Sequence, residues 1–224
     1  MPTETLSVII PTLNEEKFIG NCIESLLRQT VKPNEIIIVD AKSSDRTVEI
    51  AKRYMRDTDK VILSNEACIP YQREIGVRMA SGDYILLADA DTVFPTDAIE
   101  KIMENLKDPG VTAVTVNISP LNPNPITLIN CFARNMVTPW MTQRGCSFMF
   151  RRGALETDNL FTADGYLPNV DVFALERRLS GKVVKDSRVT VLTDIPIEQQ
   201  AETVLVLSLL AVAGGYLLYK IFKK

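Results

Sequence analysis

Histidine is absent from all 224 residues. That excludes a Ser-His-Asp or Cys-His nucleophile pair, His-ligated zinc and a His general base. Acid-base work falls to carboxylates, Lys, Tyr or Cys, and any metal site is mostly oxygen. Cysteine is sparse. Cys22, Cys68, Cys131 and Cys146 form no CxxC pair and fit no zinc or disulfide spacing, so they read as buried thiols in a reducing compartment. A basic excess is also missing: 25 Lys+Arg face 28 Asp+Glu, a net charge of −3, which argues against a nucleic-acid partner. Met1-Pro2-Thr3-Glu4 carries neither a basic region nor an apolar signal run. No internal repeat or low-complexity segment is visible.

What is present begins with a long apolar run near the C-terminus. From Thr203 to Phe222, 15 of 20 residues are apolar and Lys220 is the only charge. As a helix it spans ~30 Å, about one hydrocarbon core. It has no amphipathic stripe, and Gly214-Gly215 suits lipid better than water. The expectation is a membrane anchor over 203–222; a hydrophobic core helix or an oligomer helix is the bland alternative. Lys220, Lys223 and Lys224 favour a cytoplasmic C-terminus, but so short a tail can also be carried across, and residues 1–202 are expected on the cytoplasmic side. Residues 1–202 alone hold 22 basic and 28 acidic residues, a net of −6.

Residues 6 to 118 alternate short apolar runs with helical patterns. Strands are expected at 6–10, 35–39, 60–63, 84–88 and 111–118. The helices between them are expected at 15–29, capped by Asn14, from Ser44 or Asp45 to Met55, at 70–80, and at 96–107, capped by Thr96. Continuous apolar strands between helices indicate an α/β fold, a mostly parallel sheet covered on both faces. Pro120, Pro123 and Pro125 then divide the chain. Beyond them the pattern suggests a helix at 125–137, a strand at 147–150, a helix at 170–179 and two short strands at 183–184 and 189–192. The expected organisation is 1–118 as a ligand-binding half, 119–202 as a second half of the same domain, and 203–224 as a membrane helix.

The polar residues collect just past strand ends. Pro11-Thr12-Leu13-Asn14-Glu15 follows the first strand, Asp40 to Asp45 the second, and Asp89-Ala90-Asp91 the fourth. In a parallel sheet these lie along one edge, where such sheets bind ligands. Asp89 and Asp91 can offer hard oxygens to a divalent cation, which would neutralise a diphosphate leaving group. Asp40 is placed to accept hydrogen bonds from a ribose or base, and Arg73 to pair with phosphate or with Asp89. Taken singly, each residue reads more readily as a cap, a turn or a structural ion pair than as a site; their joint placement carries the functional reading.

Those strings, in that order, with Arg73-Glu74-Ile75-Gly76 and Ser81-Gly82-Asp83-Tyr84 between them, resemble a family 2 glycosyltransferase of the GT-A (Rossmann-like) fold over roughly residues 6–95. The resemblance implies inverting transfer from a UDP- or GDP-sugar with Mg²⁺ or Mn²⁺. By position, Pro11, Thr12, Asn14 and Glu15 would line the nucleotide pocket, with Ala90 between the two aspartates. Asp40 would hold the base or ribose. Asp89 would contact the ribose or the metal-diphosphate, Asp91 would bind the metal, and Arg73 would assist with the nucleotide. The acceptor would be a hydroxyl or a lipid phosphate, lipid-linked or membrane-proximal, and a homo-oligomer is compatible.

The second half departs from the family. Gly145 to Arg152 resembles the segment that walls the acceptor side, with Arg151-Arg152 either on phosphate or solvated. Thr138 to Gly145, with Trp140 and Arg144, reads as an acceptor loop. Where members show Glu-Asp before a helix, this chain has Pro168-Asn169. The Asp of that pair is the family's general base, and Asn cannot accept the proton. Asp171, Asp164 or an already anionic acceptor are the three alternatives. Two rival functions use the same residues. One is a membrane-tethered nucleotide-sugar-binding protein without catalysis. The other is a haloacid-dehalogenase-like phosphatase with Asp89 as nucleophile, although that family usually carries its motif on the first strand.

Overall fold

A computed structural model describes residues 4–136, 147–155, 179–195 and 200. The apolar runs form strands because both of their faces find cover. In β1 (Leu6–Thr12) every residue is buried, and so it is in β2 (Glu35–Asp40) and β4 (Tyr84–Leu87). Side chains alternate between two cores. Val8, Ile10, Ile36, Ile38 and Leu86 enter one, with Ile19, Cys22, Ile23 and Leu26 of α1 (Ile19–Leu27) and Ala51 of α2 (Thr47–Tyr54). Ile9, Ile37, Val39, Ile85 and Leu87 enter the other, with Val77 of α3 (Ile69–Met79). Each such aliphatic side chain contributes roughly 1.5–3 kcal/mol of transfer free energy.

Among the described residues the sheet has seven strands, completed by β3 (Lys60–Leu63), β5 (Val111–Pro120), β6 (Phe148–Arg151) and β7 (Lys182–Thr193). The order is β3-β2-β1-β4-β6-β5-β7. Every neighbour pair is parallel except those of β6, which runs against both β4 and β5. The expected α/β, mostly parallel sheet is therefore present, and both halves of the chain supply strands to it. Helix α4 (Ala98–Asn105) packs on β5 and β7, and α5 (Pro125–Met136) packs on β5.

Several local expectations need correction. The first helix starts at Ile19, not Glu15, and Asn14 caps nothing there: it sits at φ 57° and reaches into the next loop. Helix α4 starts at Ala98 after Asp97, without a cap from Thr96. The strands expected at 183–184 and 189–192 are one strand. Its register against β5 jumps from Asp186 to Thr190 in an irregular bulge, where Arg188 pairs with Asp186 at 2.7 Å and with Glu104 at 3.0 Å.

Cys22 and Cys131 are buried thiols, and Cys68 is a partly exposed one. Among the described residues no helix is long and apolar enough to cross a membrane. The run 203–222, the segment 164–171 with Asp164 and Asp171, Trp140, Arg144 and Cys146 lie outside the described residues.

Candidate functional site

Three strand ends converge because β2, β1 and β4 are adjacent and parallel. The loops that follow β1 and β2 are bonded to each other in both directions. Asn14 N–H donates to Ser43 Oγ at 2.9 Å, and Ser44 N–H donates to Asn14 Oδ1 at 2.9 Å. Glu15 N–H donates to Thr47 Oγ1 at 2.7 Å, and Glu16 N–H to Asp45 Oδ2 at 3.1 Å. The Thr47 hydroxyl in turn donates to Asp45. Both loops pass through the left-handed region at a non-glycine residue, Asn14 at φ 57° and Lys42 at φ 60°. Such conformations concentrate at ligand sites, where surrounding bonds hold them.

Asp40 is turned inward and is 1 % exposed. Its carboxylate accepts from Thr12 Oγ1 (2.9 Å), Ser43 Oγ (2.6 Å) and Ser43 N–H (2.8 Å). These bonds hold the two loops together. Gln72 of α3 closes the floor, donating to the Thr12 carbonyl at 3.0 Å and the Val39 carbonyl at 2.6 Å. Pro11 and Thr12 are buried in β1, so of the first loop only Leu13, Asn14 and Glu15 reach outward.

Arg73 enters from α3, and its position depends on a glycine one turn later. A Cβ on Gly76 would lie 2.3 Å from Ile9 Cγ2, so only glycine lets α3 sit this close to β1. There the Arg73 guanidinium, 2 % exposed, meets Asp89 Oδ1 at 2.6 Å. Asp89 keeps 25 % of its side chain exposed. The pair identifies Asp89 as an ion-paired carboxylate on the fourth strand unit, between β1 and β6, and not as the first-strand nucleophile of a phosphatase.

Asp91 lies two residues on, in the turn that the Thr92 N–H closes on the Asp89 carbonyl at 3.1 Å. Its other neighbours come from the far end of β7. Val93 and the end of β7 form a two-bond bridge, Val93 N–H to the Leu192 carbonyl at 2.7 Å and Leu192 N–H to the Val93 carbonyl at 2.9 Å. That bridge delivers Thr193 and Asp194 to the acidic loop. The Thr193 hydroxyl donates to Asp91, and the Asp194 charge acts on both Asp91 and Glu15. Asp194 ends an apolar strand as Asp40 and Asp89 do, and that signature could have found it.

The electrostatics follow from this crowding. Burial, then the charges of Asp89, Asp45 and Asp194, push Glu15 up to about 7. Burial, then Asp89 and Glu15, raise Asp91 as well, against the Thr193 hydrogen bond. Burial and the same aspartates push the Cys22 thiol far up, which leaves it inert. Among the described residues Glu15, Asp89, Asp91 and Asp194 act on one another beside the buried Arg73 guanidinium, a field that favours a cation. The donor set is all oxygen and suits Mg²⁺ or Mn²⁺. Among the described residues no three His, Cys, Asp or Glu side chains form a cation site by themselves. A cation here needs further oxygens, such as those of a diphosphate.

Other expected residues fall elsewhere. Because β6 runs antiparallel, Phe148 stands at the site end and Arg151 at the far end, opposite Tyr84. Arg151 donates to the Tyr84 hydroxyl at 3.1 Å and the Val111 carbonyl at 3.2 Å, and Arg152 donates to the Ala80 carbonyl at 2.6 Å. Neither serves a phosphate in the cleft.

Known proteins share this fold. The family model for glycosyl transferase family 2 matches residues 7–157. The chain is 29% identical over 118 residues to glycosyltransferase GlyG of Streptococcus pneumoniae, covering 51% of this chain and 39% of that one. It is 24% identical over 208 residues to the dolichyl N-acetyl-alpha-D-glucosaminyl phosphate 3-beta-D-2,3-diacetamido-2,3-dideoxy-beta-D-glucuronosyltransferase of Methanococcus voltae, covering 88% and 59%. The aligned region spans less than two thirds of the length of these relatives. Two solved folds superpose well. The mannosyltransferase of Pyrobaculum calidifontis with GDP-Man and Mn²⁺ gives a TM-score of 0.65 at 22% identity, covering 87% of this chain and 58% of that one. Glucosyl-3-phosphoglycerate synthase of Mycobacterium tuberculosis with Mn²⁺, UDP and phosphoglyceric acid gives 0.63 at 18%, covering 91% and 77%.

Proposed function

The chain belongs to glycosyl transferase family 2, and on that premise we propose that it moves a sugar from a UDP- or GDP-sugar to an acceptor hydroxyl or lipid phosphate, with inversion at the anomeric carbon. The observation that carries this is the convergence of the paired loops after β1 and β2 with Asp89 and Asp91 after β4. Asn14 and Glu15 line the nucleotide side, and Asp40 holds that wall in shape from behind. Arg73 fixes Asp89 so that its outer oxygen faces the donor. Asp91 and Asp89 are the residues that would hold Mg²⁺ or Mn²⁺. When bound, the cation supplies charge neutralisation for the departing nucleoside diphosphate.

In the transfer, an acceptor oxygen forms a bond to the anomeric carbon as the bond to the diphosphate oxygen breaks. A hydroxyl acceptor also loses a proton, and a carboxylate from Asp171 or Asp164 would take it. A lipid phosphate acceptor needs no base. The name of the Methanococcus voltae relative, a transferase to the 3-position of a dolichyl-phosphate-linked sugar, lends a lipid-linked acceptor support, there with a sugar hydroxyl as the accepting group. The run 203–222 would anchor the chain, with the catalytic domain on the cytoplasmic side.

A donor screen tests the reading. Thermal shift with UDP, GDP and their sugars, with and without Mn²⁺, should show metal-dependent stabilisation by one nucleotide class. Release of that nucleotide should then depend on acceptor. Stabilisation by neither class would sink the proposal. With a hydroxyl acceptor, loss of turnover in Asp171→Asn or Asp164→Asn identifies the base.

A further inference from the structure

Helix α5 presents its apolar stripe outward. Pro125, Leu128, Ile129 and Phe132 recur at three- and four-residue steps, and all four are exposed, Phe132 to 66 %. The side toward the domain carries small or polar residues, with Thr127 and Cys131 buried. Polar bonds attach it. Asn135 Oδ1 accepts from the Ile118 N–H at 2.9 Å, and its Nδ2 donates to the Ile118 carbonyl at 2.8 Å. Lys185 Nζ donates to the Asn135 carbonyl at 2.7 Å. At the helix start, Asn124 Oδ1 accepts from the N–H groups of Ile126 and Thr127. A surface helix ordinarily turns its apolar stripe to the core, and a contiguous exposed one marks a contact surface.

Where the chain leads next says what covers the stripe. Asn124 Nδ2 donates to Gln200 Oε1 at 3.3 Å, and Gln200 Nε2 donates to the Ile195 carbonyl at 2.8 Å. Gln200 is thus tied to the start of α5, and the 20-residue apolar run begins three residues later, at Thr203. We propose that the Leu128, Ile129 and Phe132 stripe of α5 lies in the surface of the lipid bilayer that the 203–222 run enters. This rests on the membrane-anchor reading above. At 12 residues, α5 is about 18 Å long, too short to cross a bilayer and suited to lying in its plane. Residues 1–202 carry a net charge of −6, so anionic headgroups do not attract them and the contact is apolar.

The test uses the full chain in phosphatidylcholine vesicles with brominated acyl chains. Trp140→Phe removes the single native Trp. Phe132→Trp then reports on the stripe, and Lys52→Trp on exposed α2 serves as the control. The expected result is a roughly twofold loss of Phe132→Trp fluorescence that high salt does not reverse, with Lys52→Trp unaffected. Vesicle-bound protein in which Phe132→Trp is no more quenched than Lys52→Trp overturns the inference and leaves the anchor standing. Failure of the chain to float with vesicles overturns the anchor and this inference together. A dimer in lipid-free detergent that Phe132→Ser dissociates, with no quenching in vesicles, assigns the stripe to a second copy and overturns it too.

Discussion

The two ends of the same sheet treat carboxylates in opposite ways. At the amino ends of β1 and β2, Glu35 is buried, yet it accepts from Lys60 Nζ at 2.8 Å and from the hydroxyls of Ser7 and Ser81 at 2.7 Å. Burial opposes its charge, and these donors overcome it, holding Glu35 at about 2. At the carboxyl ends, Glu15 and Asp91 are crowded by other acids and pushed up. Burial acts on both sets, and the supply of donors decides the outcome. Glu35 is committed to the fold, whereas Glu15 and Asp91 are held short of compensating donors.

The largest expected effect comes from emptying the acidic end. Asp91→Ala should lower sugar transfer by at least about a hundredfold in Mn²⁺ buffer while leaving the melting temperature unchanged or higher. Undiminished turnover would remove Asp91 from the site. Glu35→Ala strikes the other end and should do the reverse. It strands the hydroxyls of Ser7 and Ser81 and costs about 2–3 kcal/mol in urea unfolding, with activity per folded molecule retained.

Arg73→Lys keeps the charge but loses the rigid guanidinium that meets Asp89. Binding of nucleoside diphosphate with Mn²⁺, measured by calorimetry, should weaken roughly tenfold. An unchanged affinity would make the pair purely structural.

The smallest effect is in the pH dependence of the metal-free protein. Glu15 has its folded value raised from 4.5 to about 7, so the folded state holds its proton more tightly than the unfolded chain. Stability from this group falls as pH rises from 4.5 to 7. Glu15→Gln should flatten that slope, gaining about 1 kcal/mol at neutral pH after solvent screening. Glu35 has the opposite sign: its contribution is whole above 4.5 and is lost as pH falls toward 2. A slope unchanged in Glu15→Gln would contradict the contrast between the two ends.

The central strands were legible because burial on both faces writes them as unbroken apolar runs. Strand β7 was not, since Lys185-Asp186-Ser187-Arg188 reads as a loop, and only the ion pairs of Arg188 show how the bulge is tolerated. Asn14 was misread for a chemical reason. Asn suits an N-cap and a left-handed residue equally, and only the partner strand's loop decides between them. The acids after β1, β2 and β4 lie along one edge of the sheet, as the strand pattern implies, and Asp40 bonds to the loops on either side of it. Thr193 and Asp194 escaped because a long-range bridge, Val93 to Leu192, brings them to the site.

The reciprocal bonds between the loops after β1 and β2 mean that neither loop can open alone. Amide exchange at Asn14, Glu15 and Ser44 should therefore report a joint opening event, closer to the protection of the core strands than to that of ordinary surface turns. The entropy of ordering these two loops is lost when the chain folds, so a ligand arriving there meets a surface already shaped and keeps more of its contact energy as affinity.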